Sequence, residues 1–174
     1  MPEPIDMKKR NNLGYAEEEF LGEYVGMRAS LEVWVDREGS RALFVTVVDR
    51  SLVDKSGMPR VAMQVDLSSQ GKAWHVDIVR TDSRYKGRNL AVRVYVLLMK
   101  KLGLQMKAGS SQSIGGRKLW NRLNKHRDIL VYARPTERST KISLVKSGKQ
   151  QLSSDTIDLY GEHESSEILA YAIG

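Results

Sequence analysis

The sequence predicts an α/β domain on a mixed (α+β) sheet, and a change of period along the chain carries that reading. Before Thr81, apolar and polar residues alternate with period two in successive short segments bounded by turn residues. After Asn89, the apolar residues recur at helical spacing in two segments separated by short apolar runs. Antiparallel strands therefore come first, followed by a strand–loop–helix–strand–helix–strand order.

Taken in order, Met1 to Leu13 is polar and basic with two prolines, and is expected as a loose arm. Tyr15 to Met27 is expected to be helical, because Phe20, Tyr24 and Met27 recur at helical spacing and Glu17, Glu18 and Glu19 suit the positive end of a helix dipole. Leu31, Val33 and Val35 alternate with polar residues, Glu38-Gly39-Ser40 turns the chain, and Ala42 to Val48 returns. Val61, Met63 and Val65 form a third strand, Ser68 to Gly71 turns again, and Lys72 to Thr81 forms a fourth. In that fourth strand Trp74, Val76 and Ile78 share one face, while His75, Asp77 and Val79 share the other. An antiparallel meander is the simplest arrangement.

The first helix is expected over Asn89 to Leu102, with Gly103 as its C-terminal cap. A short strand at Gln105 to Gly109 leads to a second helix from Gly115 or Gly116 to Asn124, with Leu119, Trp120 and Leu123 as its apolar stripe. Ile129 to Ala133 is a further strand ended by Pro135. Short strands are expected at Lys141–Val145, Thr156–Tyr160 and Ile168–Ile173. The domain reading is an arm over 1–13, a main domain over 14–135, and a C-terminal β extension over 136–174 packed on it.

At 174 residues the chain has the size of one domain, and its 41% hydrophobic and 28% charged content is ordinary for a globular protein. It has no cysteine, which excludes disulfides, thiolate metal sites and a cysteine nucleophile. The longest apolar run, Val94 to Met99, is too short to span a bilayer, and Met1 to Arg10 lacks a signal-peptide core, so a soluble cytoplasmic protein is expected. Histidines and carboxylates do not fall at metal-ligand spacing, so no metal is expected. No Ser-His-Asp arrangement or P-loop is present. The net charge is +7, and it is unevenly spread: Arg84 to Arg127 holds 12 basic residues and no acidic one, leaving 16 basic and 21 acidic residues elsewhere. Such segregation points to an anionic partner, either a phosphorylated cofactor or a nucleic acid, or to a solvated basic surface.

The junction between the fourth strand and the first helix is the most informative local feature. Helix N-terminal amides lack intrahelical partners and, with the dipole, form an anion site. Gly87 allows backbone to approach a phosphate, and Arg84, Lys86 and Arg88 add charge. The alternative for the same residues is a basic turn that caps a helix. The run Arg84-x-x-Gly87-x-Asn89-x-Ala91 resembles the acetyl-CoA loop of the GNAT N-acetyltransferases, as does the order of elements from Lys72 to Ala133. Gly115 to Leu123 stands where that family has its second helix.

The resemblance implies a GNAT-like fold, a phage-encoded member being one candidate, with acetyl-CoA as cofactor. It implies that residues 87 to 91 (Gly87, Arg88, Asn89, Leu90 and Ala91) hold the pyrophosphate, with Arg84 and Lys86 beside them. The strand end at Val79 and Arg80 would meet the pantetheine arm, and Ser111 would contact the cofactor. Asn89 stands where the family prefers Gly or Ala, and asparagine tolerates left-handed backbone angles. Trp120 stands where many relatives have a tyrosine as general acid, and an indole N–H has no useful acidity. His75 and Asp77, on one face of the strand before the loop, are the candidate catalytic bases; the alternative is that both are ordinary polar strand residues. The expected function is acetyl transfer to an amine of a protein or small molecule. The competing readings are a nucleic-acid-binding or nucleobase-modifying protein on the same fold, using the Arg84–Arg127 segment with Trp120 and Tyr132 stacking on bases, and a non-catalytic interaction protein.

Overall fold

A computed structural model describes residues 18–24, 31–53, 55, 57, 59–87, 89–109, 113–135 and 166–173. They fall into two compact units. The first lies within Met1–Ser69 and Asp77–Ala91, and the second within Gln70–Val76 and Val92–Gly174.

In the first unit the strands are β1 (Glu18–Tyr24), β2 (Leu31–Glu38), β3 (Ala42–Val53), β4 (Pro59–Gln70, to Ser69 in this unit) and the second half of β5 (Ala73–Thr81). They are hydrogen-bonded in sequence order, and the pairs from β1 to β4 are antiparallel, giving the expected meander. Val33 pairs Val47, which pairs Met63, and Val35 pairs Val45, which pairs Val65; all six are fully buried. One apolar face thus runs straight across three strands, as period-two alternation requires. A β-bulge interrupts the β3–β4 register between Val47 and Val48, where β4 steps from Met63 to Val61 and leaves Ala62 as the extra residue.

One expectation is corrected. The segment read as a helix over Tyr15–Met27 contains a strand, Glu18–Tyr24, paired along β2 from Glu18↔Asp36 to Tyr24↔Leu31. An isolated helix of that length is marginal in water, and the backbone groups of β2's edge offer a complete set of partners. Tertiary pairing overrides the local helical period.

The second unit contains the first half of β5, α1 (Leu90–Leu102, from Val92 in this unit), β6 (Met106–Lys107), α2 (Ile114–Lys125), β7 (Ile129–Pro135) and β8 (Ser166–Ala172). Its strands are ordered β5-β6-β8-β7, with β5–β6 parallel and the other pairs antiparallel. The last strand therefore lies inside the order, between β6 and β7, with Ala170 opposite both Met106 and Val131. The expected strands at Lys141–Val145 and Thr156–Tyr160, and the arm at 1–13, lie outside the described residues.

α1 ends at Leu102 as expected, and α2 runs one residue past its expected end at Asn124, to Lys125. Gly103 follows α1. Ser113 caps α2, its Oγ accepting from Gly116 N at 3.1 Å. Trp120 and Leu123 of α2 are buried, and Trp120 meets Tyr95 of α1 edge-to-face with ring centroids 6.4 Å apart. Trp120 is thus a core residue and offers no platform for base stacking. Tyr132, the other candidate for stacking, is half-buried, accepts a hydrogen bond from Gln105 Nε2, and packs edge-on against Tyr171 at 5.8 Å.

Candidate functional site

The strand-to-helix turn belongs to the first unit, and the residues that hold it come from three strands. β5 ends at Thr81 and is followed by Asp82, whose backbone N donates to the carbonyl of the bulge residue Ala62 at 2.9 Å. The Asp82 carboxylate then does two things. Oδ1 accepts from Arg84 N at 2.9 Å, capping a 3-10 turn over Ser83–Tyr85, and Oδ2 accepts from Arg60 Nη2 at 2.9 Å and Nε at 3.3 Å. Burial pushes the Asp82 carboxyl upward, but the Arg84 amide and the Arg60 guanidinium outweigh it and hold the group below its ordinary value.

Tyr85 is the inward anchor of that turn. Its side chain is 5% exposed, and its hydroxyl donates to Asp49 Oδ2. Asp49, itself buried on β3, also accepts from Ser51 N at 3.0 Å and Ser51 Oγ at 2.6 Å through Oδ1. Burial and the hydrogen bond to anionic Asp49 push the Tyr85 hydroxyl up to about 12. Asp49 is raised by burial, yet its hydrogen bonds from Ser51 and Tyr85 bring it net below the ordinary value. A neutral phenol donating to an ionised carboxylate is the stable state of this pair at neutral pH.

Because Tyr85 points inward, Arg84 and Lys86 on either side of it are exposed. The chain then passes through Gly87 at φ +77° and Asn89 at φ +57°, both left-handed, and enters α1 at Leu90. Asparagine takes this region more readily than other side chains, so Asn89 accommodates the turn. A Cβ built on Gly87 would meet no atom within 4 Å, so the outer side of the turn is open to a close-approaching group. The first turn of α1 has no acidic residue, and Leu90 is buried while Ala91 is half-buried. Amides at a helix start, a left-handed approach, two exposed cations and a first helical turn without an acidic residue fit a diphosphate.

The candidate residues are not all gathered here. Arg84, Lys86, Gly87, Asn89, Leu90 and Ala91 form one continuous turn, whereas Arg88 and Ser111 lie outside the described residues. Val79 and Arg80 are exposed near the end of β5. Asp77, also exposed, accepts from Ser68 Oγ at 3.0 Å. His75 belongs to the second unit, where it is half-exposed and in register with Lys107 of β6, whose Nζ donates to Gln70 Oε1 at 3.0 Å. The outer half of β5 is more exposed than alternation suggests, with Ile78 39% and Val79 38% exposed on opposite faces.

Asp49, Arg60, Asp82 and Tyr85 are the residues that sequence reasoning missed. Two signals were present. Asp49 closes the apolar run Leu43–Val48 as an acid in a strand, and Asp82-Ser83-Arg84 has the form of a turn-capping aspartate. Among the described residues no group of three or more potential metal ligands occurs, and no helix is long and apolar enough to cross a membrane.

No family model matches the chain, and no curated protein matches it. Solved structures similar to the chain include an acetyltransferase assigned to the GNAT family from Bacteroides thetaiotaomicron. It has 10% sequence identity and a TM-score of 0.39, with 99% of this chain and 86% of that chain covered.

Proposed function

We propose that this chain is an acetyl-CoA-dependent N-acetyltransferase, with the turn Arg84–Ala91 as the diphosphate site. The observation that carries the reading is the pairing of left-handed Gly87 and Asn89 with an immediate helix start, flanked by exposed Arg84 and Lys86. The order β5–turn–α1–β6–α2–β7 supports it, being the order that the resemblance implies. In this reading the amides of Gly87, Asn89, Leu90 and Ala91 bind phosphate oxygens, and Arg84 and Lys86 neutralise their charge. Arg88 and Ser111 are assigned to the same cofactor, and Val79 and Arg80 to its pantetheine arm.

The bound thioester supplies an activated acyl carbon: an amine nitrogen forms the new C–N bond, the C–S bond breaks, and the thiolate leaves. The chain's own task is to take a proton from the substrate ammonium, so that the neutral amine can attack. Asp77 and His75 are proposed for it, and each acts within hydrogen-bond reach or through one water. The acceptor is an amine of a protein or a small molecule.

Calorimetry with acetyl-CoA tests the donor site. Wild-type protein is expected to bind, and Gly87→Val to lose about five- to thirtyfold in affinity, because a β-branched side chain opposes a left-handed φ by roughly 1–2 kcal/mol. Absence of binding at millimolar acetyl-CoA removes the proposal. Once turnover is measured, His75→Gln and Asp77→Asn separate the two bases: the variant that abolishes the acidic limb of the pH–rate profile identifies the base.

A further inference from the structure

The second unit carries a charged surface that the donor-site reading does not use. α2 has no acidic residue, and its buried side is fully committed: Trp120 and Leu123 lie in the core, and Asn124 is buried beside them. The opposite side presents Lys118, Arg122 and Lys125, all exposed, at spacings of four and three residues. They form one row, with successive rises of roughly 6 and 4.5 Å along the helix axis. Arg127, just past the helix, has a side chain 90% exposed.

Asp128, a described acidic residue just past Arg127, pairs with two cations. Asp128 Oδ2 accepts from Lys100 Nζ at 2.7 Å, its Oδ1 lies 3.7 Å from Arg127 Nε, and the Lys100 contact holds its carboxyl below the ordinary value. Lys118, Arg122 and Lys125 thus set three exposed cationic side chains along one face of the helix.

We propose that the Lys118–Arg122–Lys125 face of α2, with Arg127, is a docking surface for the phosphate backbone of double-stranded nucleic acid. Charge complementarity points to a polyanion, since duplex DNA carries one negative charge per roughly 1.7 Å of axis. A membrane surface is the poorer partner, because an interfacial helix must insert an apolar face and Trp120 and Leu123 are held in the core. The exposed face has no aromatic side chain, so it offers phosphate contacts without base stacking, which favours a duplex over a single strand and sequence-independent binding. The inference does not depend on the donor-site reading, and acetyl-CoA binding can fail without touching it.

The test is fluorescence anisotropy of a labelled mixed-sequence DNA duplex over a salt series. Wild-type affinity is expected to fall steeply with salt. Replacing Lys118, Arg122 and Lys125 together by Gln should reduce the slope of log affinity against log salt by about 2.7, since each lost phosphate contact removes about 0.9. A control triple, Arg37→Gln, Arg41→Gln and Lys55→Gln, removes the same charge from exposed positions of the first unit and should leave the slope nearly unchanged. Lys118→Arg with Lys125→Arg should bind as wild type does, and the pair Lys118→Gln with Lys125→Gln gives the reading if the triple fails to fold. An unchanged slope in the α2 triple overturns the proposal, as does an equal loss in the control. Displacement of the labelled duplex by polyglutamate at lower concentrations than by unlabelled duplex of matched charge also overturns it, in favour of an acidic protein. Binding to phosphatidylserine vesicles without binding to the duplex overturns it in favour of a membrane.

Discussion

The two units use charge in opposite ways. The described residues of the first hold 10 acidic and 8 basic side chains, whereas those of the second hold 2 acidic and 11 basic. In the first unit several of the opposite charges meet. Arg50 pairs with Glu32 at 2.7 Å, and Arg60 pairs with Asp82 at 2.9 Å beside the capped turn. In the second unit two described acids stand against eleven described bases. A balanced set of charges fixes a loop, while an unbalanced set makes a field. Net charge alone hides this difference, since +7 is the sum of an almost neutral part and a strongly basic one.

If the second unit owes its order to apolar packing, the largest loss should come from its core. Trp120→Ala removes a side chain that is 3% exposed and stacked edge-on against Tyr95. The expected cost is about 3–5 kcal/mol, read as a lower urea midpoint by far-ultraviolet circular dichroism. A cost under about 1 kcal/mol would mean that this core is not what holds the unit.

The first unit should respond instead to a polar change. Tyr85→Phe keeps the ring in the core but deprives buried Asp49 of one donor, leaving, among the described residues, the two hydrogen bonds from Ser51. The expected cost is about 1–3 kcal/mol. It should carry a pH signature as well. The folded pKa of Tyr85 is about 12, above the ordinary 10.0, so the folded state holds a proton that the unfolded state has released. That contribution is complete below pH 10 and is lost as pH rises towards 12. Denaturation at a series of alkaline pH values should show this decline in the wild type, and it should be flattened in Tyr85→Phe.

The same two regions differ in how far their sequences can be read. Elements defined by their own side chains were legible. The alternation of Val33, Val35, Val45, Val47, Met63 and Val65 predicts one buried face, and α1 and α2 start and stop within a residue or two of their expected bounds. What depends on a distant partner was not legible. β1 is a strand because β2 has an edge to pair, and nothing within Glu18–Tyr24 announces that. The Ser166–Ala172 strand looks like an appendage in the sequence, yet its partners are β6 and β7, about 60 and 37 residues earlier. The candidate site divides in the same way. Gly87, Asn89 and the helix start are local, so the turn was readable. Asp49 and Tyr85 lie 36 residues apart and meet only when β3 and the turn are folded together.

The smallest expected effect sharpens the account of that turn. Arg60→Gln breaks a half-exposed ion pair with Asp82, whose side chains are 36% and 18% exposed. Such a pair contributes about 1 kcal/mol or less, and solvent screening reduces it further. Asp82 should still cap the 3-10 turn, because its contact with Arg84 N uses the other oxygen. The signature is therefore in acid rather than in the neutral midpoint. Asp49 and Asp82 both titrate below 3.8 in the fold, with Arg60 among the causes, so their contribution is complete above the unfolded value and lost as pH falls through the folded one. Removing Arg60 raises the folded values toward the unfolded one, so the acid-dependent part of stability shrinks. Wild type and variant should then converge as pH falls through the folded values, and added salt at neutral pH should narrow the gap between them. A gap that persists unchanged in acid would show that Arg60 acts through packing of its aliphatic stem and not through charge.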